Sequence, residues 1–463
     1  MLTYDMTKAE GPLYLYLYDC IKKDISEGNI KAHERMPSKR VLAGNLGIST
    51  ITVENAYEQL ISEGYLYSEE KKGYFAAKIA TRTYSSVQSI KTERIDLPTK
   101  LPGDYYDFSA NHTEPDNFPF SVWARLARKS LSDDKNELLE SSFCGGIRPL
   151  REAIADHLAS FRGMNVDPDQ IVIGAGTEYL YSLIVKLLGR NKTYCLADPG
   201  YKKTGQIYKS CGAKCVYVGM DEQGIKIDTL NTAGADIVHI SPTHQFPTGI
   251  TTPVSRRYEL LTWADQDNRY IIEDDYDSEF RLKGRPIPSL QSIDTHGKVI
   301  YLNTFSKSLT STIRVSYMVL PENLAEKFYK ELSFYSCTVS TFEQYILSHF
   351  IKEGYFEKHI NRMRIYYAKK RKEILDTIAQ VFSPTECSVI EKDTGLHFLL
   401  KLNTDIPDEE LSKKLMDKKI RLEPLISFYN KEVSDSHMFI LNYSGLDTEN
   451  LKSALTTIKE LIV

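Results

Sequence analysis

Between Asp107 and Val463 short apolar runs recur, each leading into a polar loop and then into a stretch of helical periodicity. QIVIGAG precedes EYLYSLIVKLLG, and TYCLADPGY, KCVYVGM, DIVHISP, RYIIEDDYD, KVIYLNTFSK and RVSYMVLP follow in turn. Runs with no polar face to offer water must be covered on both sides, so the alternation predicts an α/β domain built on a mostly parallel sheet. In such sheets ligands bind at the carboxyl ends of the strands. The chemistry is therefore expected in GAGTE (174–178), DPGY (198–201), SPTHQFPTG (241–249), EDDYD (273–277) and NTFSKSLTSTIR (303–314).

Length and composition narrow the remaining choices. At roughly 100–200 residues per domain, 463 residues make more than one domain. With 42% hydrophobic and 26% charged residues the chain is not a disordered one. No run approaches the roughly 20 apolar residues of a membrane helix. The N-terminus MLTYDMTKAEGPLYLYLYD has acids where a signal peptide has positive charge. A cytoplasmic protein without a membrane partner is expected. The seven cysteines are scattered without a CxxC pair, and neither Cys211/Cys215 nor His239/His244 has a second ligand pair, so no metal is expected.

Residues 11–78 have a different grammar. Leu13, Leu17, Ile21 and Ile25 share one helical face that stops at Gly28. Ser38 precedes a short helix with Val41, Leu42 and Leu46 as its apolar side. Ser49 caps a third, TITVENAYEQLISEG, with Val53, Ala56, Tyr57, Leu60 and Ile61 inward. YLYSEEKKGYFAAKI then alternates about a turn, the pattern of a hairpin. Helix, tight turn, helix and hairpin make a winged helix-turn-helix, whose third helix enters the major groove by its N-terminal end. Ser49, Thr50 and Thr52 are then candidate DNA contacts on that helix, with Arg35, Ser38, Lys39 and Arg40 beside it and Lys71, Lys72 and Gly73 on the wing. Against this, residues 1–80 hold ten Lys/Arg and eleven Asp/Glu, so the module has no net positive charge.

MPSKRVLA, STITVENAYEQL and KKGYF resemble the winged helix of the GntR family of bacterial regulators over nearly the whole module. The resemblance carries DNA binding over to Arg40, Ser49, Thr52 and Gly73. Two positions depart from the family pattern: Thr50 stands where Arg is usual, and Glu54 stands near the expected phosphate. Residues 79–106 are polar, Ser/Thr-rich and proline-broken, which reads as a linker spanning roughly 25–30 Å.

In the large module the strand-end residues complement one ligand. Gly176 and Thr177 at a helix start, with Thr304, Ser306 and the cation of Arg314, make a phosphate cradle. Lys307 stands among those hydroxyls as an amine suited to Schiff-base formation. Asp274 ends a buried strand where it could pair with a ring nitrogen, Tyr276 could donate to a ring oxygen, and Tyr201 offers a face for stacking. Phosphate, aldehyde, pyridinium and ring together describe pyridoxal 5′-phosphate. The region resembles the class I/II aminotransferases of fold-type I over about 350 residues, which implies the same roles for these residues. That class has Asn before P-T-G, to bond the ring oxygen. Here Phe246 stands there, leaving His244 or Gln245 for the task.

The whole chain, winged helix, linker and aminotransferase-like domain with a C-terminal α+β subdomain, is similar to the MocR/GabR-like branch of the GntR regulators. ADPGY, HQFPTG, IIEDDYDSEF and TFSKSL all match that branch. The resemblance implies an internal aldimine at Lys307 and an effector, a small amino acid or amine, sensed as an external aldimine. It also implies a head-to-tail, domain-swapped homodimer on an operator with two half-sites. For the effector carboxylate, Ser427 stands where relatives carry an Arg, which leaves Lys203 and Arg421 as nearby cations. A working aminotransferase with an appended DNA-binding domain is the alternative.

Overall fold

The computed structural model describes residues 2–79, 105–109, 114–281, 287–390 and 395–462. It forms two compact units, Met1–Thr99 and Lys100–Val463. Apart from Ile79, Tyr105 and Tyr106, the expected linker lies outside the described residues.

In the first unit, α1 (Leu13–Glu27) ends at Gly28. Ser38 caps α2 (Lys39–Leu46) by accepting from the Val41 N–H at 3.3 Å, and Ser49 caps α3 (Thr50–Ser62) by accepting from Thr52 N–H at 3.1 Å. Each cap satisfies a donor that the helix start would otherwise leave without a partner. β1 (Leu66–Glu69) and β2 (Gly73–Ala76) pair antiparallel with Leu66 opposite Ala76, forming the wing. Leu17, Ile21, Ile25, Leu42, Val53, Ala56, Tyr57 and Leu60 make the core. Two residues expected inward are not: Leu13 is 41% exposed and Val41 53%. Each sits in the first turn of its helix, where no facing side chain covers it.

The second unit opens with β3 (Tyr106–Asp107), α4 (Phe120–Asp133) and α5 (Arg148–Arg162). Next come β4 (Ile171–Gly174), α6 (Thr177–Leu188), β5 (Thr193–Asp198), α7 (Lys202–Ser210), β6 (Lys214–Asp221), β7 (Gly224–Ile225), α8 (Ile227–Thr232) and β8 (Ile237–Ile240). They are followed by α9 (Val254–Asp265), β9 (Tyr270–Asp274), β10 (Val299–Thr304), the one-turn α10 (Phe305–Ser308), β11 (Ser316–Val319), α11 (Glu322–Leu332), α12 (Thr341–Lys352) and α13 (Tyr355–Val381). The sheet order is β4-β11-β10-β9-β8-β5-β6-β7. β6, β5, β8, β9 and β10 are parallel, and β11 runs antiparallel between β10 and β4. All the parallel strands, and β4 with them, thus deliver their carboxyl ends to one edge, where β11 also begins.

Alternation explains how the sheet is covered. Ile171, Ile173, Tyr301 and Tyr317 pack on one side with α5, α12 and α13, whereas Val172, Ile300, Leu302 and Met318 pack on the other with α6 and α11. β12 (Cys387–Ile390), β13 (His397–Leu402), α14 (Asp408–Asp417), β14 (Ile420–Arg421), β15 (Glu423–Pro424), β16 (Met438–Asn442) and α15 (Leu451–Ile462) complete the chain. Its second sheet, antiparallel in the order β12-β13-β16-β15, is the C-terminal α+β subdomain; Tyr106 pairs with Ile420. No helix among the described residues is long and apolar enough to cross a membrane.

The sequence Glu273–Glu279 buries five carboxyl groups where β9 ends. Arg162, the last residue of α5, meets Asp275 Oδ2 at 2.7 Å with both side chains 1% exposed, and the Tyr301 hydroxyl donates to the same oxygen at 2.7 Å. Burial, with Asp275 adding, pushes Glu273 and Glu279 up to about 7. Removing one partner of a buried pair leaves an uncompensated charge, worth about 3–5 kcal/mol. Arg162→Met is expected to lower stability by that amount in chemical denaturation, and adding Asp275→Leu should recover most of the loss.

Candidate functional site

Five strand ends, those of β4, β5, β8, β9 and β10, and the start of β11 bring the expected cofactor residues to one edge. Asp274, at the end of β9, has its two oxygens treated differently. Oδ2 accepts from the Tyr181 hydroxyl at 2.5 Å and lies 3.3 Å from His239 Nε2, whose other nitrogen faces the Tyr208 hydroxyl at 2.8 Å. Oδ1 is buried and has no partner among the described residues. A buried carboxylate oxygen left open in this way fits a protonated ring nitrogen.

On α10, directly after β10, the Ser306 hydroxyl is likewise buried with no partner among the described residues. Gly176, at the start of α6, has φ 89°, and a Cβ there would run into the Arg314 guanidinium. Helix start and cation thus adjoin, and with the Ser306 hydroxyl they supply the kinds of donor that an anion such as phosphate requires. Arg314 Nη2 lies 3.5 Å from Glu178 Oε2. Thr304 does not contribute a free hydroxyl. Its Oγ1 accepts from Ser306 N–H at 3.1 Å and from the Ser316 hydroxyl at 2.8 Å, capping α10 and tying it to β11.

Lys307 lies on α10, whose last carbonyl, that of Ser308, accepts from His359 Nε2 at 2.8 Å. Burial pulls its ammonium down to about 8, with Asp277 opposing. Asp277 in turn meets His244 Nδ1 at 2.9 Å, and Tyr276 donates its hydroxyl to the His244 carbonyl at 3.0 Å. The His244 and His397 rings lie 4.6 Å apart, with His397 Nε2 donating to the Pro247 carbonyl at 3.1 Å. Burial pushes His397 well below the usual imidazole range. Gly395 (φ 78°) is required beside them, since a Cβ would overlap His244. Of the two substitutes for the missing Asn, Gln245 is engaged elsewhere. Its Oε1 accepts from Ser241 N–H at 2.9 Å and its Nε2 reaches the Phe246 carbonyl at 3.4 Å. His244 is left facing Tyr276 and Asp277.

Tyr201 is 54% exposed and sits edge-on to Phe246 at 5.9 Å. With Lys203, Arg421 and Ser427 it lines one cavity of about 380 Å³. Neither cation is free: Lys203 is paired with Glu178, and Arg421 with Glu423 and, at 3.6 Å, with Asp107. Ser427 donates to the Pro424 carbonyl at 2.8 Å. The loop that follows is pinned to the strand end by Asp198, which accepts from Asn430 N–H at 2.8 Å.

In the winged helix, Arg40, Thr50 and Lys71 are exposed, Lys71 at the wing tip with φ 63°. Arg35 bridges Phe75 and lies beside Gly73. Lys72 pairs with Glu69 at 2.9 Å. Lys39 pairs with Glu54 at 2.5 Å, and the Ser49 and Thr52 hydroxyls bond one another at 2.8 Å. Sequence reasoning assigns no cofactor role to Tyr181, His239, Asp277, His359 or His397, although it weighs His239 as a metal ligand and Asp277 lies in EDDYD. The signals available were Tyr181 one helical turn after Thr177 and a histidine inside each of two apolar strands, IVHI and HFLLKL.

Residues 13–75 match the family model of the gntR family of bacterial regulatory proteins, and residues 104–458 that of aminotransferase class I and II. The uncharacterized HTH-type transcriptional regulator YdeL of Bacillus subtilis is 34% identical over 97% of this chain and 96% of its own. The probable rhizopine catabolism regulatory protein MocR of Rhizobium meliloti is 28% identical over 97% and 94%. Among solved structures, the kynurenine aminotransferase of Pyrococcus horikoshii superposes with a TM-score of 0.68 at 24% identity, over 78% of this chain and 92% of that one. That likeness is one of fold.

A lysine held near 8 is an ammonium below that pH and a free amine above it. In the cofactor-free protein, Lys307 should therefore react with an amine-directed reagent such as trinitrobenzenesulfonate with a midpoint at about pH 8, against 10.5 for an ordinary lysine. Since the unfolded chain holds the extra proton between those values, the contribution of Lys307 to stability rises with pH through the same window. Peptide mapping against pH measures the first, and Lys307→Met should remove both effects.

Proposed function

Because this chain belongs to the MocR/GabR-like branch of the GntR regulators, in which a winged helix precedes a class I/II aminotransferase domain, we propose that it regulates transcription by binding duplex DNA and sensing a small amino acid or amine at a pyridoxal 5′-phosphate site. The observation that carries the sensing half is the pair of buried oxygens without partners among the described residues, Asp274 Oδ1 at the end of β9 and Ser306 Oγ beside Lys307 on α10. When bound, the cofactor supplies an aldehyde and an electron-withdrawing ring.

The residues of the chain divide the work of holding it. Asp274 holds the proton of the ring nitrogen, with Tyr181 and His239 keeping the carboxylate oriented. Tyr276 and His244 face the ring oxygen, and Asp277 keeps His244 Nδ1 protonated toward itself. Ser306, Arg314 and the N–H group at Thr177 hold the phosphate, the Gly176 N–H being taken by the Gly174 carbonyl at 2.8 Å. Lys307 is the amine that an effector amine displaces. The effector carboxylate is assigned to the cavity that holds Tyr201, Lys203, Arg421 and Ser427, where it would exchange with Glu178 or Glu423 for a cation.

On the DNA side, Arg40 and Lys71 are assigned to phosphates and the start of α3 to the major groove. A homodimer places two winged helices on two half-sites, so that a shift between two dimer states alters how both grip DNA. Exposed Phe120, Leu139 and Phe334 supply apolar surface of the kind a second copy covers. A second reading, a working aminotransferase, is favoured by the lowered pKa of Lys307, which suits catalysis as well as sensing.

Fluorescence anisotropy of the loaded protein on DNA from upstream of its own gene, with and without a panel of amino acids and amines, tests the proposal. One amine should shift affinity several-fold, Lys307→Ala should lose that response, and borohydride should fix the pyridoxyl group on Lys307. An intact response in the Lys307→Ala variant, or steady keto-acid turnover without specific DNA binding, moves the conclusion to the enzyme. Arg40→Ala should weaken binding evenly across sequences and reduce the salt slope by about 1, as the loss of one phosphate contact does.

A further inference from the structure

From Thr50 to Ser62, α3 contains no Lys and no Arg. The commonest contact to guanine, a cation set bidentate on O6 and N7, is therefore not available from this helix. Its outward face offers other chemistry. Ile51, the second residue of the helix, is 68% exposed and lies opposite the buried row Val53, Ala56, Tyr57 and Leu60, so it does no work in the core. Asn55 lies one turn further along the same face. It is exposed, and its amide bonds to no described residue.

The groups around these two are engaged or charged for a different task. Glu54 accepts from Lys39 Nζ at 2.5 Å through Oε1, which offsets its charge. Ser49 and Thr52 bond one another and fix the helix start. Arg40 on α2 and Lys71 on the wing are exposed cations flanking the module, complementary to phosphates on either side of a groove. An unburied branched apolar side chain followed by a free carboxamide matches what the major groove shows at A·T pairs, a thymine methyl and an adenine N6/N7 pair.

Resting on the DNA-binding reading above, we infer that Ile51 and Asn55 make α3 a reader of A·T pairs, Ile51 packing on a thymine methyl and Asn55 bonding adenine N6 and N7. The absence of Arg at position 50 is then a change of specificity and not a loss of affinity. Thr50, exposed at the first position of the helix, adds a second methyl to the same surface.

The full-length, cofactor-loaded protein is incubated with a random-sequence duplex library, and bound duplexes are sequenced. Anisotropy is then measured on the enriched duplex and on the same duplex with each thymine replaced by uracil, which lacks only the methyl. The expected result is A·T pairs in each half-site and a loss of about three- to five-fold for each single uracil, the worth of burying one methyl. Ile51→Ala should remove the uracil effect at that position, and Asn55→Ala should cut the preference for its adenine by about ten-fold. Both residues are outside the core, and an unchanged unfolding midpoint verifies that the variants fold. Enrichment of guanine that Ile51→Ala and Asn55→Ala leave unaltered, or equal affinity for thymine and uracil duplexes, overturns the inference alone. No enriched sequence at any salt concentration removes the DNA-binding reading together with it.

Discussion

Asp274 closes a strand buried along its whole length, and a carboxylate in that position is tolerable only where partners are prepared for it. Tyr181 from α6 and His239 from β8 take one oxygen. Because those partners come from two other elements, the carboxylate is oriented only when sheet and helix are assembled together. The neighbouring acids obey the same constraint. Asp275 is matched by Arg162 and Tyr301, Glu273 accepts the Leu290 and Gln291 N–H groups, and Glu279 accepts from Asn303. Five carboxyls fit into one short segment because each has a different answer to its desolvation, and Asp274 keeps a buried oxygen facing the site for a ligand.

The architecture was legible because its strands are buried on both faces and so carry almost unbroken apolar runs. The helix caps were legible too, since Ser38, Ser49 and Gly28 stand where unpaired backbone groups demand them. The site was less so. Thr304 and Ser306 look alike in the sequence, yet one hydroxyl is consumed by Ser316 and the other is free. His244 and Gln245 are neighbours, and only the turn closed by Ser241 separates their roles. Such choices depend on contacts between residues far apart in the chain, which no local pattern records. The same holds for Lys203 and Arg421, whose carboxylate partners Glu178 and Asp107 lie 25 and 314 residues away.

The winged helix raises a complementary point about charge. With ten cations against eleven acids in residues 1–80, and with Lys39 and Lys72 paired internally, little positive potential remains to attract DNA from a distance. A winged helix of this charge gains little from phosphates at arbitrary sequence, so base contacts carry more of its affinity for DNA.

The antiparallel strand β11 has a consequence in time. It seats Arg314 beside Gly176 by pairing Ser316 with Gly174, positions 142 residues apart, and it also completes the Thr304 cap. A nascent chain that has emerged through α10 already carries Asp274, Ser306 and Lys307 but no closed anion cradle. Long-range pairings form late because the loop entropy is lost before the contact is gained. The anion cradle between Gly176 and Arg314 therefore closes only when β11 has joined the sheet between β10 and β4.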